Sequence, residues 1–273
     1  MAKRPILLVV ESDLHGGSTV APCPPRVRLD DGGVYEASRL QNWLREQRED
    51  YYRRVAHLQR DHKAEMWYIS NGDACEGNHH NSTQAVSGNP EAQAYILDHL
   101  MRPVLALHPT RRFIVRGTEA HVGPSGASEE ALARSLKAER DTDSGTWSWW
   151  DLTLDIHGTI HNFQHHGKMG GRLNLKLNVM IAGAWEIFNE HASRGWTVPQ
   201  VAWRSHLHRY GDTHDAAPVR LIQTPAWQAK TAYAYKVAAN SLSDVGAMSC
   251  LVQPDGTTMI QKYLYTPSQK KAV

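Results

Sequence analysis

Five short apolar runs in this chain each lead into a cluster of Asp, Glu or His residues. The clusters are Asp13 and His15 in SDLHGG; Asp73 in NGDACEG; Thr118, Glu119 and His121 in RGTEAH; His165 and His166 in QHHG; and His206 and His208 in SHLH. A short apolar run bounded by polar loop residues suits a strand buried on both faces. Strands that end in ligand-type side chains describe an α/β sheet whose chemistry lies at the carboxyl ends of its strands. Each cluster alone admits a bland reading as a turn residue, a cap or a solvated pair. Their joint order is what constrains the fold.

The segments between the runs agree with that class. Ile6 to Val10 reads as a first buried strand, and residues 16–36, rich in Gly, Pro and Asp, as a loop insertion. Residues 37–63 carry Leu40, Leu44, Tyr51, Val55 and Leu58 at helical spacing. Further helices are expected over 89–106, with Pro90 in the first turn, over 128–139, and over 173–194. Strands are expected over 65–70, 112–115, 149–156, 159–164 and 198–203. From Val219 onward the pattern is strand-like, including the stretch TAYAYKVAA, whose Tyr233 and Tyr235 would share one sheet face. A Pro254-Asp255-Gly256 turn joins the last two strands as a hairpin. Trp147, Trp149 and Trp150 read as core or sheet packing. The tail near 267–273 is expected to be mobile.

The 273 residues fit a single domain with insertions, and 41% hydrophobic with 21% charged residues is an ordinary globular balance. A formal net charge of +2 excludes a strongly basic nucleic-acid coat and an acidic tail. Three scattered cysteines, Cys23, Cys75 and Cys250, argue against a disulfide framework and fit a reducing cytoplasm. No stretch approaches the ~20 apolar residues of a membrane span. Histidine stands out, with 16 residues.

Two metal ions about 3.5–4 Å apart can clamp a phosphoryl group and activate a water. Such a site needs a shared carboxylate, further His or carboxylate ligands, and open positions. Asp13 with His15, and His206 with His208, are pairs whose alternate spacing on leaving a strand would place both side chains on one side. Asp73 follows a Gly that permits a tight turn.

The ordered set resembles the calcineurin-like metallophosphoesterase superfamily. That family's motifs are Asp-x-His, Gly-Asp, Gly-Asn-His-Glu/Asp, His-Gly and Gly-His-x-His, and the resemblance spans Asp13 to His208. It implies a four-layer α/β/β/α sandwich and a metal-dependent phosphoester hydrolase in which a metal-bridging hydroxide attacks phosphorus in line. Asp13, His15 and His208 would hold one ion, Asp73 would bridge, and His166 and His206 would hold the second. His165 would then face substrate or support a ligand. Manganese, iron, zinc and nickel are all compatible with such ligands, manganese being favoured here.

Two positions depart from the pattern. Where the family has Asn followed by His, this chain has Thr118-Glu119-Ala120-His121. Either Thr118 or Glu119 fills the ligand position; Glu119 is preferred as the better donor. His121 becomes the general acid, or a group that stabilises developing charge. Ser205 replaces a family Gly, a mild change. Arg116, Arg209, His79 and His165 are candidate substrate-binding residues. Asn78, His80, Lys168 and Arg172 are weaker ones. A phosphodiester of a nucleotide or nucleic acid is the favoured substrate. A phosphomonoesterase, a catalytically silent metal-binding scaffold and a mononuclear protein are the alternatives.

Overall fold

In a computed structural model, which describes residues 3–79, 83–169 and 175–268, strands and helices alternate early and strands predominate late. The order is β1 (Ile6–Glu11), β2 (Arg26–Arg28), β3 (Val34–Glu36), α1 (Arg39–His62), β4 (Glu65–Asn71), α2 (Pro90–Leu105) and β5 (Arg111–Val115). Next come α3 (Glu119–Val122), α4 (Ala127–Ser135), β6 (Leu152–Ile156), β7 (Thr159–His166) and α5 (Lys176–Ser193). The chain continues through β8 (Val201–Ser205), β9 (Gly211–Asp212), β10 (Arg220–Gln223), α6 (Ala232–Val237), β11 (Val245–Val252) and β12 (Thr258–Tyr265).

The strands form two five-stranded mixed sheets, ordered β12-β11-β1-β4-β5 and β6-β7-β8-β10-β9, with β2 and β3 as a separate hairpin. In the first sheet β1, β4 and β5 run parallel, and β11 and β12 pair antiparallel. In the second, β7, β8 and β10 are parallel while β6 and β9 flank them antiparallel.

Period-two side-chain alternation sorts each strand between two cores. Leu7 and Val9 of β1 pack with α1, α2 and α4, through Leu44, Val55, Ile96, Leu100 and Leu132. Leu8 and Val10 face the other way and meet Phe163, Trp203 and Ile222 of the second sheet. Ala202 and Leu221, on the far face of that sheet, pack under Met180 and Ala184 of α5. The apolar run of β1 is therefore continuous because both of its faces are covered. Each such side chain contributes about 1.5–3 kcal/mol on burial.

One polar node sits inside the first core. Arg48 of α1 donates to Glu11 through Nε (2.9 Å) and Nη2 (2.7 Å), and through Nη1 to the Leu100 carbonyl. Glu11 also accepts from the Tyr68 hydroxyl (2.6 Å) and Trp227 Nε1 (3.0 Å). Burial opposes ionisation of Glu11, but Arg48 outweighs it and holds the carboxyl below its ordinary range. The node ties α1, α2, β4 and the 227 loop to the end of β1, two residues before Asp13.

The mixed α/β class is as expected, and α1 begins where Ser38 caps it in a reciprocal Ser38–Gln41 box. Three local expectations change. Residues 232–237 form α6, not a strand, with Thr231 Oγ1 capping the Ala234 amide. The 16–36 segment carries the β2–β3 hairpin, and its Val27 packs into the first core. Trp150 is exposed, under the Arg116 guanidinium. Tail residues 269–273 lie outside the described residues. Among the described residues, no helix is long and apolar enough to cross a membrane.

Candidate metal centre

The carboxyl ends of β1, β4, β5, β7 and β8 converge, and the five clusters meet there. The loop after β1 runs alongside the loop after β4. Asp13 N donates to Gly72 O (2.9 Å), His15 N to Asp73 O (3.0 Å) and Gly16 N to Ala74 O (2.8 Å). The loop after β8 joins them, since His206 N donates to Asp13 Oδ2 at 3.2 Å. The loop after β5 joins through Thr118 N, which donates to Asp73 Oδ1 at 2.7 Å.

The backbone reaches these positions under strain. Asp13, His15, Asp73, His206 and His208 have φ of 49°, 46°, 54°, 74° and 51°. Each left-handed non-glycine residue costs about 1 kcal/mol or more, and such strain collects at functional sites. So Asp13 and His15, and likewise His206 and His208, share the site because left-handed turns bring them there. Strand alternation is not the reason. Gly72 has a φ of 89°, and a Cβ on it would strike the His165 ring. A Cβ on Gly117 would strike the Asp73 carboxylate.

Three groups of side chains bring their ligand atoms within 4.8 Å of one another: Asp13, His15 and His208; His15, Glu76 and His121; and Asp73, His165 and His206. Asp13 Oδ1 lies 3.3 Å from His208 Nε2 and 3.9 Å from His165 Nε2, so it faces both imidazole sets. His15 Nε2 and His208 Nε2 are 3.2 Å apart. His165 bonds Asp73 Oδ2 through Nε2 (3.0 Å) and the Asn71 carbonyl through Nδ1 (2.8 Å).

These groups fit divalent ions. Asp13 Oδ1 is buried with no hydrogen-bond partner among the described residues, an arrangement that costs free energy unless a cation or donor meets it. Carboxylate oxygen and imidazole nitrogen together suit manganese, iron, zinc or nickel.

The electrostatics agree. Burial resists charge on Asp13, yet His208 and His165 bring its carboxyl down to about 2. Asp73 is likewise pulled below its ordinary range, by His165 against the cost of burial. Burial alone would keep His165 neutral, but Asp73 raises it to about 10. Asp73 and His165 would hold a cation in place of the proton they share. Burial, then the charge of His165, depresses His206 to about 4, leaving a neutral imidazole. Glu129 accepts from Gly117 N at 2.6 Å beneath the site; burial and then Asp73 raise it to about 8.

The structure assigns the sequence candidates as follows. His165, not His166, stands in the buried group; His166 is exposed, and its Nε2 is 3.5 Å from Thr118 Oγ1. Thr118, not Glu119, turns inward, with Oγ1 3.2 Å from His206 Nδ1. Glu119 is exposed in the first turn of α3 and belongs to none of the groups. The better donor is thus turned to solvent, and the weaker one faces the site.

Arg116 is buried away from the cleft, donating to Ser148 Oγ and Glu130 Oε1. Arg209 and His79 line the cleft. Asn78 binds the Gly88 carbonyl, and Lys168 pairs with Glu186 at 3.8 Å. His80, Gly170, Gly171 and Arg172 lie outside the described residues. His121 donates through Nδ1 to the Glu76 carbonyl at 2.8 Å, so its other nitrogen is the one left for proton transfer.

Glu76 escaped the sequence reading. It is buried, its Oε2 lies 3.1 Å from His15 Nδ1, and it binds His79 Nε2 (3.2 Å) and Gln228 Nε2 (2.8 Å). Fixing one ring nitrogen of a histidine sets which nitrogen faces a metal. Its place in NGDACEG, three residues after Asp73, was the available signal. Ser205 also does more than its type suggests. It accepts from Asn71 Nδ2 (2.6 Å) and meets Thr224 Oγ1 (2.8 Å), which meets Ser12 Oγ (2.8 Å). That chain joins the two sheets beneath the site.

No family model matches the sequence, and no curated protein matches it. Solved structures similar to it include a conserved uncharacterized protein, named a predicted phosphoesterase, from Streptococcus pneumoniae TIGR4. It shows 9% identity and a TM-score of 0.37 over 97% of this chain and 100% of that one. A dimetal phosphatase from Danio rerio shows 8% identity and a TM-score of 0.44 over 94% and 99%. Vps29 complexed with zinc, from Entamoeba histolytica, shows 9% and 0.39 over 94% and 98%. At such identities and scores the likeness decides nothing about activity, and the chemistry has to come from the site.

Proposed function

We propose that this chain is a metal-dependent phosphoester hydrolase of the calcineurin-like type, acting on phosphodiesters of nucleotides or nucleic acid, with manganese as the favoured metal. The observation that carries the reading is the convergence of the Asp13–His15–His208 and Asp73–His165–His206 groups, with five of these six residues held in left-handed backbone. Two divalent ions bound there would supply Lewis acidity and a water acidic enough to be a nucleophile near neutral pH. Asp13, His15 and His208 would hold one ion, and His165 and His206 the other, with Asp73 between them. Thr118 Oγ1 stands beside His206 as a weak donor to the second position.

The chain's own residues support the rest. His121, its Nδ1 held by the Glu76 carbonyl, lines the cleft and would hand a proton from its other nitrogen to the departing oxygen. Glu76 fixes the His15 ring. Arg209 at the cleft wall would orient a phosphate oxygen.

The test is hydrolysis of bis-p-nitrophenyl phosphate against p-nitrophenyl phosphate by metal-stripped protein given manganese, beside Asp73→Asn. Diester cleavage that needs the metal and is lost in the variant supports the proposal. Cleavage of the monoester alone makes the chain a phosphomonoesterase. Two bound ions with no turnover of either substrate would favour a scaffold.

A further inference from the structure

A strap of chain walls the metal cleft between two anchors. At its start, Trp227 N and Gln228 N both donate to the Asp13 carbonyl, at 3.1 and 3.2 Å. At its end, Asp244 N donates to the His208 carbonyl (2.9 Å), and Asp244 Oδ2 accepts from Tyr210 N (2.8 Å). Both anchors are therefore on the loops that carry ligand residues. Between them the strap is closed on itself. Lys230 Nζ donates to the Ala238 and Ala239 carbonyls, each at 2.8 Å, and lies 4.4 Å from the centre of the Tyr235 ring.

The strap is well fixed, yet it buries little. α6 within it has no buried residue. It walls a cleft of about 740 Å³ that extends to Asp73, His121 and His206. Tyr233, Val237 and Leu242 line that wall at 69%, 63% and 71% exposure. Among the described residues the Tyr233 side chain has no hydrogen bond and no ring contact. Lys236 lies in the same wall. Clustered exposed apolar side chains beside a polar site mark a surface that a ligand covers.

The phosphate of a substrate needs none of these groups, because the ligand residues and Arg209 already face it. The strap lies beyond them, where the organic part of an ester extends. An aromatic face, two aliphatic side chains and one ammonium suit a planar, weakly hydrated ring carried on an anion. We propose that residues 230–243 form a nucleoside subsite of this centre, with the base stacking on Tyr233 and Lys236 adding attraction for the anionic ester. The assignment rests on the phosphoester reading and narrows it to nucleotides. A long-chain alkyl phosphate would use Val237 and Leu242 and leave the ring face idle.

The experiment is calorimetric titration of the manganese-loaded full chain with AMP, ribose 5-phosphate and octyl phosphate. Base stacking on an aromatic side chain predicts about tenfold tighter binding of AMP than of ribose 5-phosphate. Tyr233→Ala shrinks that ratio to below about twofold while leaving ribose 5-phosphate affinity unchanged, and Tyr233→Phe keeps the ratio. Equal affinities in the parent protein, an unchanged ratio in Tyr233→Ala, or tighter binding of octyl phosphate than of AMP each overturn the subsite. Hydrolysis of bis-p-nitrophenyl phosphate by the same samples separates the two readings. An intact AMP preference without turnover counts against the hydrolase and supports the subsite. Turnover without the preference does the reverse.

Discussion

Replacing Arg48 by Met should destabilise the protein by about 3–5 kcal/mol, the usual cost of removing one partner from a buried ion pair. Arg48 and Glu11 have side chains 2% and 1% exposed, so solvent cannot take over the lost partner. The substitution removes two charge-assisted hydrogen bonds to Glu11 and one to the Leu100 carbonyl. Each is worth roughly 1.5–3 kcal/mol alone, but bonds sharing one guanidinium do not add, and the methionine stem keeps much of the apolar packing, so the loss falls near or below the bottom of their simple sum. Glu11 retains Tyr68 and Trp227 as donors. At about 2–4 °C per kcal/mol for a chain of this size, the melting temperature should fall by roughly 6–20 °C. The double variant Glu11→Gln/Arg48→Met removes the stranded charge while keeping a partner for Tyr68 and Trp227, and should recover at least half of the loss. Urea unfolding followed by circular dichroism, in metal-free buffer so that bound ions do not add stability, closes the double-mutant cycle. A loss below about 1 kcal/mol in Arg48→Met, or additive effects in the double variant, would refute the claim that this pair is the buried node of the first core.

Four further outcomes follow from the site and its surroundings. His165→Ala should lower bound manganese by about one ion per chain, while His166→Ala leaves the content unchanged by mass spectrometry of dialysed protein. Glu119→Gln should keep turnover of bis-p-nitrophenyl phosphate within about twofold of the parent, because an exposed surface substitution changes little. Gly117→Ala should cost about a hundredfold in kcat by displacing Asp73, with a much smaller change in unfolding midpoint. Asp212 is held below its ordinary carboxyl range because Arg220 outweighs burial. Its stabilisation is thus complete above the unfolded value near ~3.9 and lost as pH falls through the lower folded value. The stability gap between parent and Asp212→Asn should therefore persist at pH 6 and close as the solution is acidified below the folded value.

The sheet class and the meeting of the five clusters were legible because both rest on local signals. Doubly covered apolar runs mark the strands, and Asp or His residues follow them directly. What the sequence left open depends on direction. His165 and His166 are neighbours with the same chemistry, and only the pleat of β7 decides which one is buried beside Asp73. Glu119 is the better donor, but its side chain is turned to solvent while Thr118 turns toward His206. Glu76 has only its place in NGDACEG to mark it, and its neighbours His15 and Gln228 lie far away in sequence. The stretch TAYAYKVAA alternates like a strand although its aromatic residues face different ways, Tyr233 lining the cleft and Tyr235 lying against Lys230. Since no sheet covers it, the Thr231 cap wins locally and it coils as α6.

Anomalous diffraction from crystals grown with manganese tests the two-ion site most directly. Two peaks per chain are predicted, one against Asp13, His15 and His208 and the other against His165 and His206, with Asp73 between them. A single peak, or density at Glu119 and His166 in place of Thr118 and His165, would contradict it.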